Sequence, residues 1–405
     1  MTTDSLWNNR SFHLFWAGQT LSSVGDAFTA VAIPLLVYKT TGSIASMAAI
    51  TACRAAGAAA SGLVAGALVD RVDRRQLLVW TDVARACLMA LVPLAASVGA
   101  LSIAMLAGIS VAMGLLGTTF GIGYVAVVPE LVSKARVLTA NAWLQGSEAA
   151  SFVVGPALAG VAIQRWGAQT AVGVDALSFF ASFVSLLAIR ARAPLAPHRR
   201  DDASSWKTDL VRGAAFVRRL RPLRAVALAL LVEVFATAAV LDLFSFHLKS
   251  TLGQSDERVG TMFAIASAGA IAGAAIAGAS RRRIGMRAVY VVTSFLLTLA
   301  LAGVQFADSF LATAMLGVVF TFATSLRGVL SMTRRQELTP GHLLGRVTAV
   351  FWLALSISRM VGAYTVGQIA GQYGNVAACQ VAAVILLALS LATIPARALD
   401  EQPAA

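Results

Sequence analysis

Gly66-Ala-Leu-Val-Asp70-Arg71-Val-Asp73-Arg74-Arg75 closes an apolar run that begins at residue 44. A bilayer core of about 30 Å takes about 20 helical residues to cross, and the run 44–69 is long enough. Charge then appears abruptly, with two acids and three arginines in the six positions 70–75. A helix that leaves hydrocarbon needs a polar landing, and arginine-rich landings lie on the cytoplasmic side.

The same alternation extends in both directions. Runs of membrane length cover 12–37, 44–69, 76–98, 101–128, 141–164 and 168–189. After a polar stretch come 223–248, 259–280, 288–306, 309–331, 347–370 and 374–395. The 405-residue chain is 58% hydrophobic and 13% charged, where a soluble domain carries about 25% charged residues. Met1 to Arg10 is polar and leads into a run of full membrane length, so a cleavable signal is not expected. The reading is an all-α membrane protein with twelve transmembrane helices in two six-helix bundles. The bundles are 1–189 and 223–405, joined by a cytoplasmic linker, 190–222. Within the linker, 206–221 is either an amphipathic helix on the membrane surface, with Trp206, Leu210, Phe216 and Val217 as its apolar side, or a solvated connection.

The formal charge of +13 raises the question of a nucleic-acid partner, and its distribution answers it. Of the 32 lysines and arginines, 24 fall in one set of alternate loops and 4 in the other. That is a topology signal. It places both termini on the cytoplasmic side and argues against nucleic acid. The excess of arginine over lysine, with abundant alanine and glycine, suggests a bacterial source and so a bacterial plasma (inner) membrane. Cys53, Cys87 and Cys379 lie inside apolar runs without metal-ligand spacing, so they read as packing residues.

The two halves echo each other. Gly278-Ala-Ser-Arg-Arg282-Arg283-Ile-Gly285-Met-Arg287 follows the eighth run as residues 66–75 follow the second, 212 positions later. A second echo, at 207 positions, pairs Glu130 with Glu337, Ser151 with Ser358, Gly155 with Gly362 and Gly160 with Gly367. Gly62/Gly66 and Gly269/Gly273 share that offset as GxxxG pairs, the spacing that lets membrane helices approach closely. Duplicated six-helix units with a site between them are a transporter plan.

The loop Gly66, Asp70, Arg71, Arg74, Arg75 resembles the signature G-x-x-x-D-R-x-G-R-R of the major facilitator superfamily, with Asp73 in place of a glycine. Ser151-Phe-Val-Val-Gly155-Pro156-Ala-Leu-Ala-Gly160 resembles its antiporter signature, with Ser151 for the first glycine and Ala159 for a later one. Further matches at Asn9-Arg10, Gly25-Asp26, Asp82-Val-Ala-Arg85, Pro129-Glu130, Asp175-Ala-Leu-Ser-Phe179 and Gly345-Arg346 are similar to the branch of enterobactin exporters and macrolide-efflux proteins. The resemblance implies secondary active export of a bulky amphipathic small molecule, a drug or a siderophore, by proton antiport and alternating access. The expected partners are that substrate, protons and the lipid bilayer, with the protein a monomer and no cofactor. Import or facilitated movement of a small organic solute is the alternative, and a receptor or scaffold the non-transport one. Span four lacks the family's R-x-x-x-G signature, so coupling to protons rests on the branch.

Ionisable side chains inside spans cost about 2.5–3.5 kcal/mol each on insertion scales. The candidates for proton or substrate contact are Asp26, Arg54, Glu148, Glu233, Asp242, Arg327 and Arg359. Asp26 is the expected proton site, because the resemblance puts span one on the central cavity. Glu233 and His247 are fourteen residues apart and share a helical face, with Asp242 opposite. Glu233 is therefore expected in the cavity, and His247 at a solvated boundary. Arg54 can reach Asp26, Arg327 or Arg359 can reach Glu233, and Glu148 can reach Arg85. Gly66, Asp70, Arg71, Arg74, Arg75, Asp82, Arg85 and Glu130, with Ser151, Gly155, Pro156 and Gly160, are expected to gate or bend, the proline by removing a backbone donor. None of the four lysines follows a glycine, so no nucleotide-binding loop is present, and no hydrolase or zinc motif appears. An enzyme is not expected.

Overall fold

A computed structural model of the chain describes residues 9–69, 73–133, 136–189 and 206–400. The first half forms α1 (Arg10–Thr41), α2 (Ile44–Val69), α3 (Arg74–Ser97), α4 (Ile103–Leu131), α5 (Val137–Trp166) and α6 (Ala168–Ala188). Then come α7 (Trp206–Arg219), α8 (Arg221–Thr237), α9 (Val240–Phe246), α10 (Asp256–Ala302), α11 (Phe310–Leu338), α12 (Gly341–Tyr373) and α13 (Asn375–Thr393). Side chains fix several helix starts. Asn9, Asp73, Ser102, Ser255 and Ser309 each accept the backbone N–H three residues on, satisfying donors that the first turn leaves free. Asp73, where the superfamily signature has glycine, is thus the N-cap of α3.

Among the described residues, eleven helical stretches have the length and apolarity of a crossing. One of them, Asp256–Phe306, has 51 residues and would be about 75 Å long if straight. It reverses at Gly285, whose φ of 80° and ψ of 165° leave the helical region, and so crosses twice. Twelve crossings bring Asn9 and Asp400, the first and last described residues, to one face, here the terminal face; the opposite one is the distal face. The seventh crossing differs from the single run 223–248. It is α8 and α9 with a break at Ala238–Ala239, followed by a π turn over His247–Thr251.

The internal repeat is structural. Gly167 (φ 88°, ψ 158°) and Gly374 (φ 91°, ψ 162°) make the same turn before α6 and α13, 207 residues apart. Ser151 lies 3.5 Å from the Thr20 carbonyl on α1, and Ser358 donates to the Leu231 carbonyl on α8 at 2.7 Å. Arg75 donates to the Leu186 and Leu187 carbonyls that end α6, and Arg287 to the Ile394 carbonyl that ends α13. Both supply a cation where a helix dipole is negative. The offset of 212 governs the beginning of each half, and 207 holds from the caps Ser102 and Ser309 onward. This corrects one pairing. The glycine of α2 that matches Gly269 is Gly57, not Gly62. A methyl on Gly57 would fall 1.8 Å from the Val111 carbonyl of α4, and one on Gly269 would fall 2.2 Å from the Val318 carbonyl of α11. Gly62 faces Leu353 at an ordinary 3.9 Å.

Two seams join the halves. A methyl on Gly367 of α12 would lie 2.3 Å from Ala48 Cβ on α2, and one on Gly260 of α10 would lie 2.3 Å from the Pro156 carbonyl of α5. Both contacts are toward the distal face, where Lys39 of α1 also pairs with Asp256, the first residue of α10. Lys249 holds the same carboxylate at 2.8 Å. Residues 206–219 are helical and lie on α12: a methyl on Gly213 would sit 2.7 Å from the Arg346 carbonyl, and Val217 is buried.

Overpacking a tight crossing costs about 1–3 kcal/mol. Gly57→Leu is expected to lower the thermal unfolding midpoint in detergent clearly, whereas Gly108→Leu, on the same α2–α4 pair but with open space around it, is expected to leave it nearly unchanged.

Candidate functional site

A chamber of about 890 Å³ lies between the halves. Its apolar wall is Met47, Met89, Met113, Phe120, Phe152, Phe263 and Phe320, and its charged lining is Asp26, Arg54, Arg85, Glu148, Glu233, Asp242, Arg335 and Arg359. The lining descends from Thr51 and Asp242 toward Arg335, near the terminal-face end of α11. On the distal side the two seams close it.

The charges fall into groups of different chemistry. Arg327 is fully buried. It donates to Glu233 at 2.9 Å, to the Thr293 hydroxyl at 2.7 Å, to the Ser294 hydroxyl at 2.6 Å and to the Tyr290 carbonyl at 2.7 Å. The Tyr290 ring lies 4.8 Å from its guanidinium carbon. With its donors engaged, Arg327 fastens α8, α10 and α11 together and has little left for a ligand. Asp82 and Arg85, one turn apart on α3, form a second buried pair. The Arg85 guanidinium lies over the rings of Phe120 and Phe179, at 4.2 and 4.3 Å; cation–π attraction replaces lost water there.

Asp26, Glu148 and Arg359 are different. Asp26 is about one third exposed, with Arg54 at a loose 3.9 Å. Glu148 is half-buried in the lining, and Arg359 is exposed within it. Neither has an ion-pair partner among the described residues.

Several expectations change here. Glu148 does not reach Arg85, whose partner is Asp82. Asp242 does not point away from Glu233: both line the chamber, because the break at Ala238–Ala239 cancels the nine-residue helical angle between them. Asp242 instead accepts from Thr51 of the other half at 2.7 Å. His247 is buried, not interfacial, with Nε2 3.0 Å from the Ala307 carbonyl. Glu233 faces the chamber but is held by Arg327. Two charged residues are missing from the candidates drawn from the sequence. Arg335 counts as a loop charge because the apolar run ends near 331, yet α11 continues to Leu338 and carries it into the lining. Asp175 is an acid inside the run 168–189, and it is wholly buried.

Pro156 has a consequence beyond bending. It cannot donate to the carbonyl four residues earlier, that of Phe152. Ser267 of α10 donates to it at 2.6 Å, so the proline leaves an acceptor that docks the other half. Ser151 is buried against α1, a methyl on Gly155 would lie 2.5 Å from Ala27 Cβ, and one on Gly160 would lie 3.0 Å from Gly260 Cα. Asp70 and Arg71 lie outside the described residues, as do the surroundings of Gly66 and the side chain of Glu130. In the second half Glu337, the repeat counterpart of Glu130, is gripped by Arg281 with two bonds, 2.6 and 2.7 Å. Arg74 begins α3.

Two sets of crossings around a solute-sized chamber, with several charges in its lining, define a multi-pass transport protein. The Major Facilitator Superfamily pattern matches residues 15–363, and the chain belongs to that superfamily; it moves a small-molecule substrate and is not an enzyme. It is 26% identical over 354 residues to the multidrug efflux pump Tap of Mycobacterium tuberculosis, covering 82% of each chain. It is 24% identical over 238 residues to macrolide efflux protein A of Streptococcus pyogenes, covering 58% of this chain and 57% of that one. Among solved structures it resembles a bacterial homologue of the lysosomal transporter Spinster, inward-facing and unoccupied, with a TM-score of 0.76, 12% identity and coverage of 99% and 100%. The nucleoside transporter NupG gives 0.72, 12% identity and coverage of 94% and 98%.

Removing one partner of a buried ion pair costs about 3–5 kcal/mol. Glu233→Ala is therefore expected to lower the unfolding midpoint strongly, and Glu233→Met with Arg327→Met to recover part of the loss, as read by thermal unfolding in detergent.

Proposed function

We propose that this protein exports bulky amphipathic small molecules of the drug class by proton antiport. The observation that carries the reading is the chamber: apolar walls of phenylalanine and methionine, with Asp26, Glu148 and Arg359 left without tight partners. Flat apolar surface binds ring systems, and the few polar groups orient them. The two efflux relatives favour export over import. Bundles 1–189 and 223–405, joined by 190–222, rock about the α2–α12 and α5–α10 seams in an alternating-access cycle, with the distal seal parting as the terminal side closes. In this reading the terminal face is cytoplasmic, the membrane is a bacterial plasma membrane, and one chain suffices.

Asp26 is the proton site in this account. It sits in the lining with only a 3.9 Å contact to Arg54, so neutralising it breaks no tight pair. An acid at membrane depth that faces a water-filled cavity is the usual carrier of a coupled proton. Glu233 is held too firmly by Arg327 for that task. In everted vesicles, wild-type protein is expected to accumulate a fluorescent drug-like cation only while a pH gradient is present. Asp26→Asn is expected to abolish gradient-driven accumulation while the variant remains folded. Unchanged transport by Asp26→Asn would remove this residue from coupling, and accumulation indifferent to the gradient would remove the proton.

A further inference from the structure

We propose that Asp175 on α6 is a second proton-binding site, connected to the chamber through the hydroxyl of Thr29. The inference rests on the proton-coupled reading above and adds to it a buried store behind Asp26.

Asp175 has no solvent exposure. Its partners are two hydroxyls: Thr29 at Oδ2, and Ser178, which reaches Oδ1 at 3.1 Å and the Asp175 carbonyl at 2.8 Å. No cation stands within ion-pair distance among the described residues. Asp242 is the other buried acid met by a hydroxyl alone, that of Thr51, but it lines the chamber itself. The remaining three are paired with cations. Asp82 has Arg85, Glu233 has Arg327, and Asp256 has Lys39 and Lys249. A bare carboxylate sealed among helices and met only by hydroxyls bears most of its desolvation cost, whereas the neutral acid with the same partners is satisfied. The site is built around that acid. A methyl on Gly25 would fall 2.5 Å from Asp175 Oδ1 and 2.0 Å from the Ser178 hydroxyl, so only glycine lets α1 close over it.

The route to it is short. Thr29 lines the chamber and also meets Asp175. Asp26 stands three residues before Thr29 on α1, on the neighbouring position of the same face. A proton that binds the Thr29 oxygen from chamber water while the Thr29 hydroxyl proton passes to Asp175 Oδ2 leaves threonine unchanged and the carboxylate neutral. The reverse transfer empties the site. The helices packed on α6 are α1, α3 and α5. Their charged groups toward the chamber are Asp26, the Asp82–Arg85 pair closed on itself, and Glu148; Arg54 of α2 lies beyond Asp26. A proton on Asp175 therefore removes one of two negative charges that would otherwise share the α1–α6 contact.

The test is infrared difference spectroscopy on the full chain in lipid nanodiscs, with acid and alkaline buffers in H2O and D2O. A protonated carboxyl band is expected in the wild type at acid pH. It should shift on deuteration, fade at alkaline pH, persist in Asp26→Asn and vanish in Asp175→Asn. Thr29→Val should move the band, because its hydrogen-bond partner is gone, and slow its exchange. If Asp175→Asn does not fold, Thr29→Val decides by that shift, and a band unmoved by it would overturn the proposal. Coincident wild-type and Asp175→Asn spectra at every pH would also overturn it. So would a band that never exchanges or titrates, the mark of an inert packing acid. No substrate enters the experiment, so its failure leaves the export reading intact, and absent efflux by the wild type leaves the band to be judged alone.

Discussion

Hydrocarbon solvates no charge, so every ionisable side chain inside these crossings must bring its own environment. Asp175 and Asp242 are met by hydroxyls alone; the other charges use three further environments. Arg327 is saturated by a carboxylate, two hydroxyls and a carbonyl. Arg85 is paired with Asp82 and stacked between two rings. Asp26, Glu148 and Arg359 have neither and are tolerated because they line a chamber. The first two kinds hold each half together; the third is what the chamber has to offer a solute.

The duplication explains how the halves can move and still fit. Each half carries a small-residue helix that docks on the other, α5 on α10 and α12 on α2, and Gly160 and Gly367 stand at matching places on them. Pro156 frees the Phe152 carbonyl, and Ser267 answers it from across the seam. The joint is thus made of close backbone contact and a few weak polar links. The Lys39–Asp256 pair closes it only at the distal face. Such a seam can part without exposing a large apolar core.

Most of the fold was legible in the sequence, because hydrocarbon length and loop charge leave little freedom. The runs, their number and the duplication all correspond to helices. The misses have local causes. Helical angles fail across Ala238–Ala239, so Asp242 joins Glu233 in the lining. Apolarity stops before α11 does, which hid Arg335. Glycine spacing alone gave Gly62 where packing selects Gly57. Asp175 was visible as an acid in an apolar run, but its burial behind Gly25 and Thr29 depends on a contact 146 residues away in sequence. The offsets of 207 and 212 were both readable; that they govern successive parts of each half required the turns and caps.

The central claim is that Asp26 and its neighbours face a water-filled chamber closed at the distal face. The most direct measurement replaces the three native cysteines with alanine, places a single cysteine at Ser23 in the lining or at Leu177 on the outer surface of α6, and applies a membrane-impermeant thiol reagent to sealed vesicles from each side. The account predicts that Ser23→Cys reacts from the face bearing the termini and is protected from the other, while Leu177→Cys, buried in lipid, reacts from neither. A Ser23→Cys variant that resists the reagent from both sides would contradict it.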